Sequence, residues 1–288
     1  MSEATKTVAI FGPGLMGGSL LLALRARHAD WSLRVWGRRP DALDVLQQKQ
    51  LADFCSTDAA AVAHGAKIAI LCVPVDKLTD VARAAAPGVP TDCLVTDVGS
   101  VKERIVTELE EIFREHGNFI GRHPMCGAEA TGLEAARGDL YEDAVCVVTP
   151  TPQTRPGAVV AATAFWEDLG SRVLSLSPAE HDHAAALSSH VPHAVAAALV
   201  ELLLSGPEAA RQLCAGGFRD TTRIAAGSAE IWEPILLYNR HAVARGLTDL
   251  AQALQALALA LENNNAAQVS TFLESARRGR QSLTGEQA

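Results

Sequence analysis

Val8-Ala9-Ile10-Phe11-Gly12-Pro13-Gly14-Leu15-Met16-Gly17 decides the fold. Four apolar residues form a short strand, and Gly12, Gly14 and Gly17 then satisfy G-x-G-x-x-G before a helix that runs to about Ala26. In such a turn the first glycine permits the tight bend, the second lets backbone approach a pyrophosphate, and the third lets helix pack on strand. The helix N-terminus adds unpaired N–H groups and a positive dipole end for the phosphates. Motif and context together point to a dinucleotide site rather than a glycine-rich turn of some other α/β fold.

Working outward, further apolar strands are expected at Leu33–Trp36, Ile68–Val73, Cys93–Thr96, Val145–Val148 and Val173–Ser175. Helices fall between them, from near Pro40, from Lys102 to about His116, and from Arg155 to Leu169. Continuous apolar strands alternating with helices imply a doubly wound parallel sheet covered on both faces. After Ser175 the character changes. Ser177-Pro178-Ala179-Glu180 carries three agreeing helix-start signals, and from there to Ala276 the chain is helical and rich in alanine and leucine. The expected architecture is an α/β Rossmann domain over residues 1–175 and an all-α domain over 176–288. The polar tail from Arg277 is expected to fray.

A hydrophobic share of 48% and a charged share of 20% describe a globular chain with ample core. The net charge of −8 argues against a nucleic-acid partner, and an anionic ligand would need a local basic pocket. The six cysteines are scattered without a CxxC pair, as suits reduced core thiols in a cytoplasmic protein. No charge lies between Val8 and Leu24, but four glycines and Pro13 break that run, and no later stretch reads as long enough to span a membrane.

Cofactor choice turns on the end of the second strand. NAD enzymes usually place an acid there for the ribose 2′-OH. Here Gly37-Arg38-Arg39-Pro40 offers two guanidiniums and no acid before Asp41, which predicts a preference for NADP, with NAD as the alternative. Leu15 and Met16 in the glycine loop, and Val73-Pro74 after the third strand, complete the expected cofactor contacts.

Chemistry is expected from His123, in Arg122-His123-Pro124-Met125-Cys126-Gly127, and from Ser100 in Asp97-Val98-Gly99-Ser100. A histidine can take a proton from a hydroxyl while hydride leaves the same carbon. In the helix from Ser177, Ser189 and His193 are four apart and so share a face, and Pro192 frees a backbone acceptor and predicts a kink. A metal site built from His181, His183, His190 and His193 lacks a HExxH motif or a carboxylate triad, so no metal is expected. Gly216-Gly217 reads as the start of a polar loop interrupting the helices. Arg223 beyond it suits a carboxylate, whose two oxygens match its fork, and Trp232 is either core or pocket wall.

These segments resemble the prephenate/arogenate dehydrogenase family of tyrosine biosynthesis. The matching stretches are GPGLMGGSL at 12–20, TDVGSVK at 96–102, HPMCGAEATG at 123–132, AEHD at 179–182, SHVPH at 189–193 and GFRDTTRIA at 217–225. The resemblance implies a Rossmann domain followed by a helical dimerisation domain. It implies oxidative decarboxylation of prephenate to 4-hydroxyphenylpyruvate, or of arogenate to tyrosine. Carried across, His123 would bind the ring hydroxyl and accept its proton, and Ser100 would orient that histidine or the hydroxyl. Ser189 and His193 would line the substrate and nicotinamide pocket, and Arg223 would hold a substrate carboxylate. Glu129 and Trp232 fall where the family places pocket residues; Glu129 would pair with the arogenate ammonium or hold its loop. Arg38-Arg39 departs from the acid of NAD-using members, and Cys126 and Ala128 leave the pocket wall open.

Two other readings compete. A β-hydroxyacid dehydrogenase would carry its catalytic lysine on the interdomain helix, and the helix from Ser177 has none. A non-catalytic NADP-binding sensor would give no reason for Ser100, His123, His193 and Arg223 to coexist. The segment from Ile235 to Leu261 is alanine- and leucine-rich, and reads as one long helix, buried or shared with a second subunit in a homodimer.

Overall fold

The computed structural model describes residues 6–127 and 130–284. The glycine-loop strand lies in the middle of its sheet. β1 (Thr7–Phe11) pairs in parallel with β2 (Ser32–Trp36) on one side and β4 (Ile68–Leu71) on the other. β3 (Phe54–Ser56) flanks β2, while β5 (Leu94–Asp97) and then β6 (Asn118–Pro124) continue beyond β4, all parallel. The order β3-β2-β1-β4-β5-β6 is that of a doubly wound dinucleotide fold, and the direction of winding reverses beside β1.

β7 (Val145–Thr149) and β8 (Arg172–Ser175) extend this sheet, with β7 antiparallel to β6 and parallel to β8. Pro124 at the end of β6 faces Cys146 near the start of β7. The chain therefore returns along one edge without crossing the sheet, which makes that junction antiparallel.

Alternate residues of β1 feed two apolar clusters, Val8 and Ile10 on one face and Ala9 and Phe11 on the other. Burial on both faces is why the strand reads as an unbroken apolar run. Against the first face α1 (Leu15–Arg27) sets Leu20 and Leu24, α2 (Pro40–Gln48) sets Leu43, and α6 (Pro156–Asp168) sets Trp166. Against the second face α3 (Ala59–Ala63), α4 (Leu78–Ala85) and α5 (Glu103–Ile112) set Val62, Leu78 and Ile105.

Ser177 caps α7 (Pro178–Ala185) through a reciprocal box. Glu180 N–H donates to Ser177 Oγ at 3.3 Å, and Ser177 N–H donates to the Glu180 carboxylate at 2.8 Å. A π turn, Ala186–His190, then leads into α8 (Val191–Ser205). The break that Pro192 imposes is thus absorbed as a wider turn just upstream of it. Contrary to expectation, the helical stretch Pro178–Ser205 is long and apolar enough to cross a membrane by length and composition alone, with 28 residues and a hydropathy of 1.4. It carries buried His181, Asp182, His190 and His193.

α9 (Glu208–Gln212), α10 (Gly216–Thr222) and α11 (Ala229–Tyr238) follow, and Gly216-Gly217 opens α10 instead of forming a loop. The chain packs as one unit through Asn239, and Arg240–Ala288 forms a second. That second unit is a pair of helices, α12 (Arg240–Glu262) and α13 (Ala266–Thr284). The single helix expected over 235–261 is therefore broken at Asn239. The tail does not fray at Arg277, since α13 continues to Thr284 and Arg277 donates two hydrogen bonds to Glu274 at 2.8 and 2.9 Å.

Candidate active site

The glycine loop has the geometry its sequence implies. Gly12 takes φ +106°, where a side chain is strained, and a Cβ there would sit 2.6 Å from the Cys72 carbonyl oxygen. A Cβ on Gly17 would run into the Gly12 carbonyl, whereas one on Gly14 would meet nothing within 4 Å. Helix α1 begins with no side-chain cap and no acid in its first turn, so its N–H groups are free for an anion. Leu15 and Met16 form that first turn, and Tyr141 Oη–H holds the Met16 carbonyl at 2.7 Å. These features fit a dinucleotide phosphate.

A cleft of about 940 Å³ opens beside the loop, lined by Gly12, Gly37, Arg38, Val73 and Pro74 among others. Arg39 does not line it and instead stands at the N-cap of α2. Lys77 joins Arg38 in the lining, and α11 supplies Glu230, Glu233 and Tyr238 to the wall. None of these four was foreseen, because neither exposed charges nor a lone tyrosine on a helix signals a cleft.

Beyond β5 lies a buried charge cluster. Asp97 and Lys102 are both fully buried and ion-paired. Asp97 also accepts the N–H of Gly99 at 2.9 Å and of Arg122 at 3.1 Å. The Arg122 guanidinium is buried without a hydrogen-bond partner and lies 5.8 Å from the Trp166 ring centroid. Burial brings it down to about 10.

His123 stands on β6, at the carboxyl edge of the parallel strands, where doubly wound sheets bind ligands. Its Nδ1 lies 2.8 Å from Nε2 of His181, whose Nδ1 lies 2.8 Å from Oδ1 of Asp182. Asp182 in turn accepts the N–H of Lys102 at 2.7 Å and of Glu103 at 2.9 Å, capping α5 from 80 residues further along the chain. Asn239 donates to the Asp182 carbonyl at 2.7 Å and lies 3.1 Å from His190 Nδ1. Trp232 stacks on His193 with centroids 3.5 Å apart, and meets His190 edge-on. His190 Nε2 and His193 Nδ1 are buried without partners.

The structure therefore brings His123, His190, His193, Trp232 and Asp182 into one connected network. Ser100 is half-buried in the turn after β5, and the side-chain partner of His123 is His181 rather than Ser100. Ser189 is half-buried in the π turn, and Arg223 is exposed at the end of α10. Glu129 lies outside the described residues. Among the described residues, no cluster could hold a metal ion. His181 and Asp182 went unrecognised as site residues; the only signal was the AEHD motif itself.

Burial first, then His181, Lys102 and His190, push the His123 imidazole well below its ordinary range. Burial pushes His190 down to about 4. Both rings are then neutral at pH 7, whereas an unfolded chain takes up these protons from about pH 6.5 downward. Below that point the unfolded state binds more protons. Stability is thus fully present above about pH 6.5 and falls toward pH 4, by up to ~1.4 kcal/mol per pH unit for each ring. Urea unfolding followed from about pH 7 to pH 5 should show this decline, and a flat profile would contradict it.

A doubly wound sheet, a glycine loop at its switch point and an imidazole on its carboxyl edge define a nicotinamide-dependent dehydrogenase. Residues 21–175 match the family model described as prephenate dehydrogenase, nucleotide-binding domain, and residues 177–275 match its dimerization domain. The chain belongs to the prephenate dehydrogenase family. The glycine loop precedes the matched range and stands on its own geometry. The chain is 31% identical to cyclohexadienyl dehydrogenase of Zymomonas mobilis, over 90% of each. The prephenate dehydrogenase of A. aeolicus, solved with hydroxyphenyl propionate and NAD+, superposes with a TM-score of 0.91 at 28% identity, covering 98% of this chain and 100% of that one. Synechocystis arogenate dehydrogenase superposes at 0.84 with 30% identity, over 96% and 99%.

Proposed function

We propose that this chain oxidatively decarboxylates prephenate to 4-hydroxyphenylpyruvate, with His123 as the proton acceptor. The observation that carries the reading is the buried, neutral His123 at the sheet's carboxyl edge, tied through Nδ1 to His181. Taking the ring hydroxyl proton while hydride leaves builds a carbonyl, and loss of the ring carboxylate then aromatises the ring. The dinucleotide, when bound, supplies the hydride acceptor. The protein need supply only base, alignment and charge pairing.

In this reading Arg223 holds a substrate carboxylate, Ser100 orients the ring hydroxyl, and Ser189 and Glu129 belong to the substrate pocket. Trp232 braces His193 by stacking on its ring. Residues up to 175 form the cofactor domain, and those from 176 form the substrate and dimerisation domain. Arogenate is the second reading, supported by the likeness to the Synechocystis enzyme. Rates of NADPH and NADH formation with prephenate and arogenate separately test both. Turnover of neither substrate by folded, cofactor-binding protein would overturn the proposal.

NADP is the preferred cofactor in our reading, because Arg38 and Lys77 line the cleft and no acid stands at the end of β2. Asp76, which also lines the cleft beside Asp80, Glu230 and Glu233, is paired with Lys77 at 2.8 Å. Arg38→Ala should lower the NADP-over-NAD ratio of kcat/KM roughly tenfold or more, the worth of a charge-assisted hydrogen bond. An unchanged ratio would remove Arg38 from phosphate recognition.

The chain is read as a cytoplasmic homodimer. All six cysteines are free thiols, as suits a reducing compartment. Leu202 and Leu204 on α8 are 69% and 48% exposed, more apolar surface than a lone chain shows without reason. Light scattering at micromolar concentration should give twice the chain mass of 30.3 kDa. A monomer would contradict the dimer.

A further inference from the structure

We infer that His181, itself fixed by Asp182, sets the tautomer of His123 and so makes it a base before any substrate arrives. The inference rests on the reading of His123 as proton acceptor. It starts at α5. The N–H groups of Lys102 and Glu103 can only donate, and both point at the Asp182 carboxylate, at 2.7 and 2.9 Å. They hold that carboxylate at the positive end of α5.

A carboxylate oxygen accepts, so the 2.8 Å bond from His181 Nδ1 to Asp182 Oδ1 requires the hydrogen on Nδ1. A neutral imidazole carries one hydrogen. With one hydrogen on the ring, Nε2 of His181 is a bare acceptor, and the ring nitrogen 2.8 Å from it, His123 Nδ1, donates. The single hydrogen of neutral His123 is thereby spent on Nδ1, and its Nε2 is left as a free lone pair. The opposite tautomer would set two lone pairs against each other between the rings.

When the substrate hydroxyl gives its proton to His123 Nε2, the hydrogen on Nδ1 stays where it was. The new imidazolium points it at His181 Nε2, with Asp182 behind. One proton moves, and the chain need pass none on. His181 is 2% exposed, and its two ring nitrogens are used by His123 and Asp182, so it serves as a positioning residue and not as a contact for substrate. Asn239, just after α11, braces the arrangement through the Asp182 carbonyl and is itself held against His190 of the π turn.

The direct test is the ring nitrogen spectrum of the intact protein labelled with 15N-histidine, with His123→Asn identifying the signals. Hydrogen on Nδ1 of both His123 and His181, with both Nε2 atoms bare, is the expected result. Hydrogen on Nε2 of His123 would overturn the inference. This readout needs no substrate, so it stands or fails apart from the reaction assignment. In kinetics, His181→Leu should lower kcat about 100-fold, the scale of a misdirected base, with KM little changed. His181→Gln, whose side-chain oxygen can accept the same bond, should recover most of that loss. Full activity in His181→Leu, or no recovery in His181→Gln, would contradict the positioning role.

Discussion

His123→Asn should lower kcat by roughly 10²–10⁴-fold, the usual contribution of a general base, while KM changes only a few-fold. Asparagine is close in size and its amide can still donate to His181 Nε2, so the surrounding network has a partner in the variant. It has no nitrogen lone pair with which to take a proton. The loss therefore belongs to the transition state and not to ground-state binding. The opposite pattern, a raised KM with kcat intact, would make His123 a substrate anchor and leave the base elsewhere.

Asp97→Ala should be the most destabilising single change outside the apolar core. Lys102 is fully buried and its ammonium pairs with Asp97, and the same carboxylate accepts the N–H groups of Gly99 and Arg122. The Arg122 guanidinium, also buried, has Asp97 as the carboxylate that raises its affinity for a proton. Removing Asp97 strands the Lys102 ammonium and two backbone donors at once. Breaking a buried pair on one side costs about 3–5 kcal/mol, since the remaining charge is left uncompensated. Urea denaturation should show that loss, whereas the exposed pair of Lys67 and Asp92 at 2.5 Å should matter little. The double change Asp97→Leu with Lys102→Met should cost less than Asp97→Ala alone. A single variant as stable as the native chain would mean that the cluster is hydrated or relaxes freely.

The parts of this fold legible in the sequence are those whose physics is local. The strand, glycine loop and helix at residues 7–27 announce themselves by period and by glycine spacing, and Ser177 to Glu180 by capping chemistry. β6 was not legible. Its residues, Asn-Phe-Ile-Gly-Arg-His-Pro, interrupt the apolar run with a glycine, two basic side chains and a proline. Those residues survive in a buried strand because Asp97 receives the Arg122 N–H and because His123 has a partner 58 residues away. No window on the sequence holds both ends of such a bond.

The same limit explains Lys102, Asp182 and Asn239. Each is a polar residue whose partner comes from another element, and by composition each reads as surface. The helix Pro178–Ser205 shows the converse. Its mean hydropathy is that of a membrane span, yet its buried Asp182 and His181 are tied to α5 and β6. For the site, the resemblance puts His123, His193 and Trp232 in one pocket, whereas residue type alone leaves Trp232 as core or pocket wall. The imidazole chain behind His123 became visible only with the register of β6 against α7.

The most direct test of the whole account is the stoichiometry of a single reaction mixture. Purified protein, prephenate and NADP are incubated, and reduced cofactor, carbon dioxide and 4-hydroxyphenylpyruvate are counted together. Equal amounts of all three are the expected result, because hydride loss and decarboxylation are parts of one aromatisation. Reduced cofactor without carbon dioxide, or no reduction with either prephenate or arogenate, would contradict it.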